Sequence, residues 1–355
     1  MRTLTIDQVD DLALGATLLG TGGGGDPYVA RLMLRQAINT YGPVTIADPH
    51  ELPADGLVMT VAVVGAPTVL LEKIPAGTEF IASIEALASY LGRDPVALMP
   101  IEVGGLNTLL PLAVATEMGL PVIDADGMRR AFPQIEMTVF TLAGIKCSPM
   151  SVADEKGNLC VFETNTNQLG ETLVRGAVMS LTLANAFSSY SMTVAEVEAH
   201  AIAGSVTYCT ELGARLSAVQ RGESGAYDRF LEFAEGRVIF SGVITDVHRE
   251  TTQGFSKGTV TIEARDGTER SMKVAIQNEF LVAWENDRPV VTVPDLICIL
   301  DAETATPITT ETLRYGQRVN VVAMPCAPEW HRDGMLEVVG PKAFGFDLDY
   351  VRVGA

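Results

Sequence analysis

Three polar clusters carry residue types and spacings that chemistry could use. The first reads TGGGGDP from Thr21 to Pro27. Glycines at 22, 23, 24 and 25 leave a backbone free of side chains and able to take positive φ. Asp26 can cap and Pro27 suits a first helical position, so a helix is expected to start there, its unpaired N–H groups and positive dipole end facing the glycines. That setting can cradle an anion or oxyanion, with Thr21 and Asp26 at its edges. The plain alternative is a tight turn between two helices. The familiar nucleotide loops do not fit, because no Lys-Ser/Thr follows and a helix rather than a strand precedes.

The second cluster, IEVGGLNT, puts Glu102 at the C-terminal end of a strand, with Gly104, Gly105 and Asn107 leading into a helix. Ligands of open α/β sheets gather at that edge. Equally, Asn107 or Thr108 can be a plain cap and Glu102 can face water. The third, VIDADGMRRAFPQ, places Asp124 and Asp126 after another strand, with Arg129 and Arg130 nearby to hold ionised groups. If the two strands are parallel neighbours, Glu102, Asp124 and Asp126 approach one another. Clustered carboxylates raise one another's pKa and can supply a general base or bind a divalent cation. No other cofactor is indicated, and either aspartate alone can be an ordinary turn residue.

The remaining reactive residues give weaker signals. Histidines at 50, 200, 248 and 331 show no metal-binding spacing and read as bystanders; His248 and His331 lie beside polar loops and could reach a cleft, but a surface or satisfied role is the favoured reading for each. Cysteines at 147, 160, 209, 298 and 326 form no C-x-x-C pair, and their odd number argues for reduced thiols rather than a disulfide framework. Cys147, next to Lys146, is a minor nucleophile candidate. QNEF at 277–280 and VPDLI at 293–297 are either polar strand ends or walls that close a cleft from a second domain.

These clusters need elements to position them. A first helix is expected from a Thr5–Gln8 capping box to Gly20, and a second over YVARLMLRQAI. VTIAD and LVMTVAVVG read as strands, the latter apolar enough to be covered on both faces as in a parallel sheet; the whole apolar stretch Leu57 to Leu71 is a buried strand with its exit loop. TEFIASIEALASYLG has the three- and four-residue spacing of a crossover helix stopped by Gly92. Alternation continues through VALMPIEV, TLLPLAVATEMG and PVIDAD, so residues 1–165 read as an α/β domain with a mostly parallel sheet. TVFTLAG and SVADEKGNLCVFE read as strands with a turn at Lys156-Gly157-Asn158. Residues 166–355 read as a helical bridge, LGETLVRGAVMSLTLANAF and TVAEVEAHA among its segments, and then a mainly β domain. There RVIFSGVITDVHRE, GTVTIEARDG, RSMKVAIQNEFLVAWE, PVVTVPDLICILD, QRVNVVAMP and FDLDYVRVG are the short strands of a sandwich or barrel.

With 355 residues, two domains are the natural expectation. Forty-four acidic against 25 basic side chains give a net charge of -19, which would repel a phosphate backbone, so nucleic acid is not an expected partner. The apolar stretch at Leu57 is broken by Gly65 and Pro67 and falls short of the ~20 residues of a spanning helix. MRTLTIDQVDDL lacks the apolar core of an export signal. A cytoplasmic protein without membrane partners is the expectation.

In combination, LGTGGGGDP, IEVGGLNT and PVIDADGMRRAFPQ resemble the S-methyl-thiohydantoin desulfurase family, which is also found fused to hydantoinase chains. The resemblance is strongest over residues 9–165, and QNEF and VPDLI are similar to the family's C-terminal β domain. It implies hydrolysis at a small five-membered heterocycle, releasing methanethiol and leaving hydantoin. Under it, Glu102, Asp124 or Asp126 activates water; Gly22 to Gly25, flanked by Thr21 and Asp26, bind developing negative charge, while Asn107 and Arg129 orient the ring. A hydantoinase-like cyclic amidohydrolase or its partner subunit, a homo-oligomer, and a non-catalytic small-anion binder remain open.

Overall fold

The computed structural model describes residues 1–65, 75–252 and 255–354. Its strands, in chain order, begin with β1 (Arg2–Leu4), β2 (Val44–Ala47), β3 (Leu57–Gly65), β4 (Pro95–Pro100), β5 (Val122–Ile123) and β6 (Ala125–Asp126). They continue with β7 (Met150–Ala153), β8 (Leu159–Phe162), β9 (Ala184–Thr193) and β10 (Ile202–Ala203). An eight-stranded sheet has the order β1-β2-β5-β4-β3-β9-β7-β8. Strands β2, β5, β4 and β3 are mutually parallel, and the pairings outside them are antiparallel, so the sheet is mixed with a parallel centre.

The parallel centre follows from alternation of strand and helix. The helix Thr78–Leu91 joins β3 to β4, buries Ile84, Leu87 and Ala88, and stops at Gly92 with φ 66°. The helix Leu106–Met118 joins β4 to β5 and is buried along most of its length. Strand β3 is buried over nearly its whole length between strands on both sides, as its apolar run demands. The exit loop expected after it lies outside the described residues. At the N-terminus, Thr5 and Gln8 form their capping box on the 3-10 turn Ile6–Gln8, which leads into the helix Val9–Leu19 and a stop at Gly20.

The second sheet holds β11 (Arg237–Thr252), β12 (Phe255–Ala264), β13 (Ser271–Gln277), β14 (Glu279–Glu285), β15 (Arg288–Thr292), β16 (Leu296–Asp301) and β17 (Arg318–Met324). Its order is β15-β14-β13-β12-β11-β17-β16, antiparallel throughout. Strands β14 and β15 come back against β16, so the sheet curls into a half-barrel around Ile244, Val260, Phe280, Ile299 and Val321. A larger apolar core under the first sheet continues into this part through Leu281, Leu296 and Trp330.

Three segments differ from expectation. Val139–Gly144, strand-like in residue type, is a run of turns closed by Thr141 N–H to Thr138 O (3.2 Å) and Ile145 N–H to Phe140 O (3.2 Å). Its Val139 and Phe140 are buried core plugs, a role that needs the same apolar types as a strand. The helical bridge is split: the helix Asn167–Ser180 stops before Leu183 (φ 65°), and β9 enters the first sheet between β3 and β7. A short run buried on both faces has no period that separates strand from helix. Finally, FDLDYVRVG forms no strand; around Val351 it makes a single exchange with Thr292, Val351 N–H donating to the threonine hydroxyl (2.9 Å) and Thr292 N–H to Val351 O (3.1 Å).

Candidate active site

Glu102 leaves the end of β4 and turns into a cavity of about 100 Å³. The wall includes Gly24 from the glycine run, Asn107 from the helix after Glu102, Arg175 from the helix Asn167–Ser180, and Asn278 with Glu279 from the corner between β13 and β14. Both halves of the chain therefore build it. Phe132, Ile135 and Phe187 supply apolar surface.

Glu102 is only 6% exposed. Its Oε1 accepts from the Asn107 side-chain amide at 2.7 Å and its Oε2 from the Phe132 N–H at 3.3 Å. Asn107 is itself held by the β3 backbone, its Oδ1 accepting from Val63 N–H at 2.7 Å, so it fixes the direction of the carboxylate. Burial pushes Glu102 up to about 7, overcoming the downward pull of these two donors. Glu279, 2% exposed, is pushed well above the usual carboxylate range by burial and next by the charge of Glu102. Its Oε2 has no hydrogen-bond partner among the described residues. One carboxyl group balanced near neutral pH and one held further toward its acid form thus share a cavity, the pattern by which sites divide base and acid roles.

The glycine run is the seam on which this wall rests. A Cβ on Gly23 would stand 2.2 Å from Glu279 Oε1, and one on Gly24, whose φ is 72°, 2.8 Å from the Gly104 carbonyl oxygen. Gly22 O accepts from Thr310 N–H (2.8 Å), Thr21 O from Phe280 N–H (2.8 Å), and Gly24 O from Leu106 N–H (2.9 Å). Gly24 is the member of the run that lines the cavity; Thr21, Gly22 and Gly23 form the joint behind it, and Gly25 does not line the cavity. The next helix starts at Tyr28 with Pro27 as its N-cap; Asp26, exposed just before it, accepts from Tyr28 N–H at 2.8 Å, so a carboxylate already takes one of the donors read as an anion cradle. Arg130 is fully buried and locks the seam. Its guanidinium donates to Thr21 Oγ1 (2.9 Å), Pro294 O (2.8 Å) and Asp295 O (3.1 Å), and burial pulls it down to about 10.

The structure separates the other candidates from this cavity. Asp126 accepts from the N–H groups of Val103 (2.6 Å), Met128 (3.1 Å) and Arg129 (2.6 Å) and from the Ser205 hydroxyl (2.7 Å). Asp124 accepts from Val206 N–H (2.9 Å) and Thr207 N–H (3.0 Å) at the start of the helix Ser205–Gln220, and from Arg2 at 2.9 Å. Neither lines the cavity, and among the described residues Glu102, Asp124 and Asp126 form no group close enough to share a cation. Arg129 lies over the Tyr208 ring and donates to Ser205 Oγ at 3.3 Å, on the wall of a different cleft. Cys147 is fully buried, and burial pushes its thiol up to about 12, which removes it as a nucleophile.

Arg175 was not foreseen, because nothing in LGETLVRGAV distinguishes it from a solvated helix residue. Here it pairs with Glu171, donates to Pro133 O at 2.6 Å, and presents to the cavity. For Glu279 the sequence offered the QNEF motif with two meanings, and the position of Glu279 matches the cleft-closing one.

No curated protein matches the chain. A crystal structure of a protein from Chromobacterium violaceum superposes with a TM-score of 0.83 at 23% identity, covering 99% of this chain and 100% of that one, which shows a common fold. The model for the N-terminal domain of S-Me-THD-like proteins matches residues 7–164, and that for their C-terminal domain matches residues 165–353. With both characteristic domains present in order, the chain belongs to the S-Me-THD-like family, in agreement with the resemblance of its motifs.

Proposed function

We propose that the protein is a hydrolase-type desulfurase that replaces the S-methyl group of an S-methyl-thiohydantoin-like ring by oxygen. One observation carries the reading: Glu102 is a buried carboxylate, pushed up to about 7, on the wall of a ring-sized cavity. A cavity of ~150 Å³ can hold benzene. About 100 Å³, open at a mouth, suits a five-membered heterocycle.

In this reading Glu102 takes a proton from water as the water oxygen bonds to the ring carbon that bears sulfur. Asn107 holds the carboxylate in line. The carbon–sulfur bond then breaks, and Glu279, kept in its acid form by burial and by the charge of Glu102, protonates the departing sulfur. Glu102 delivers its proton to the ring nitrogen. The hydroxyl proton is lost as the ring carbonyl forms and returns Glu279 to its acid form, so the two protons of water end on nitrogen and methanethiol. Negative charge that builds on the ring during attack lies near Arg175 and the Gly24 backbone.

The test is to incubate the protein with S-methyl-thiohydantoin and its 5-substituted analogues and follow both thiol and hydantoin. Stoichiometric methanethiol and hydantoin are expected. If no analogue yields thiol and hydantoin itself is ring-opened, the cavity belongs to a cyclic amidohydrolase.

A further inference from the structure

A second cluster of reactive side chains lies away from the Glu102 cavity. Asp295 sits in the turn between β15 and β16, Cys326 just past the end of β17, and His331 at the end of the 3-10 helix Pro328–His331. One ligating atom from each lies within 4.8 Å of the other two. None of the three lines the Glu102 cavity.

We propose that Asp295, Cys326 and His331 form a mononuclear zinc site with an open fourth position. The ligand chemistry is that of zinc: a soft thiolate and a borderline imidazole, which magnesium and calcium do not choose, stand beside a carboxylate that zinc also accepts. The spacing agrees as well. Cys326 Sγ and His331 Nε2 are 3.5 Å apart. Tetrahedral zinc with ordinary bonds to sulfur and nitrogen sets those two atoms about 3.5 Å apart.

The surroundings are those of a held ligand. Asp295 Oδ1 accepts from Cys326 N–H (2.9 Å) and the Tyr350 hydroxyl (2.8 Å), and Oδ2 accepts from Val353 N–H (2.7 Å). Such outer contacts fix a carboxylate before a metal arrives. The His331 ring lies against that of Tyr350, centroids 5.7 Å apart. Cys326 and His331 also line a cleft of about 180 Å³ with Arg129, Tyr208, Glu235 and Arg352, so a fourth ligand, water or a small anion, has room to enter. The competing role for the same atoms is a thiolate–imidazole nucleophile. A triad of that kind would have the carboxylate bond the imidazole, whereas Asp295 bonds Cys326 N–H, the Tyr350 hydroxyl and Val353 N–H; a cation draws on all three groups as they stand.

Cobalt(II) is the direct probe. Titrating the metal-free full-length protein is expected to bind one cobalt per chain, with a thiolate-to-cobalt charge-transfer absorption that zinc(II) abolishes on displacement. Cys326→Ser removes the charge-transfer absorption. His331→Ala, at an exposed position that spares the fold, weakens binding at least as much as loss of an outer-shell contact, about 10-fold or more. Cys160→Ser, in β8, leaves both unchanged. Absence of a charge-transfer absorption in the unmodified protein, its survival in Cys326→Ser, or its loss in Cys160→Ser would each overturn the assignment. The measurement reads metal binding directly, so its outcome is independent of the thiohydantoin assay.

Discussion

Glu102 and Asp126 are buried carboxylates at the ends of neighbouring strand segments, close enough that the N–H of Val103 bonds Asp126. They are held in opposite ways. Asp126 has four donors from three segments of chain, and burial raises it only against their combined pull. Glu102 has two donors, faces a cavity, and shares it with a second carboxyl group. The first arrangement spends a carboxylate on architecture, whereas the second leaves one able to exchange a proton near neutral pH.

The strongest way to break this contrast is Glu102→Gln. It is expected to lower kcat/KM for thiol release by roughly 10²–10⁴, the usual share of a general base. It should also stabilise the fold in alkali. A carboxyl raised from 4.5 to about 7 binds its proton more tightly in the folded state, so its contribution is present at low pH and lost as pH rises through about 7. Urea midpoints of the variant and the unmodified protein should therefore separate as pH rises from about 4.5 to about 7 and stay apart above it, in the variant's favour by up to ~3 kcal/mol. Equal midpoints across that range would mean Glu102 is not buried as described.

Asp126→Asn comes next in size and tests the other half of the contrast. An amide turned toward N–H donors loses charge-assisted bonds and leaves a donor unmatched, for a cost of about 2–4 kcal/mol in unfolding free energy. The folded fraction should keep its turnover per molecule. A large loss of kcat in well-folded Asp126→Asn would return the aspartates to the chemistry.

Asn107→Ala is the finest probe, because Asn107 acts through Glu102. Losing a donor that favours the charged form should move the acid limb of the kcat/KM profile to higher pH, with activity at neutral pH down by about 10-fold. A uniform loss without movement of that limb would assign Asn107 to packing alone.

Much of this was legible in local pattern. The Thr5 capping box, the helix over Thr78–Leu91 and the β11 to β17 run all follow from signals within a few residues. Glu102 and Asn107 were legible too, as a strand end and helix start in one motif. The division of labour among the carboxylates was not, since the donors to Asp126 come from positions 103, 128, 129 and 205. Glu279 escaped firm assignment for a similar reason: its place depends on Gly23 meeting a corner of the chain more than two hundred residues later. TVFTLAG shows the reverse failure, where apolar β-formers promised a strand and the fold used them as plugs.

Arg130 gives that joint a consequence for dissection of the chain. Its charge belongs to the first half, while two of the carbonyls that receive it, those of Pro294 and Asp295, belong to the second. Expressed as two fragments, one piece would carry a hydrated arginine and the other carbonyls without their donor, and neither would own a complete cavity. Turnover would return only on recombination. The unit that owns the cavity is thus the pair, and a gene split between the halves would have to keep both products in one cell.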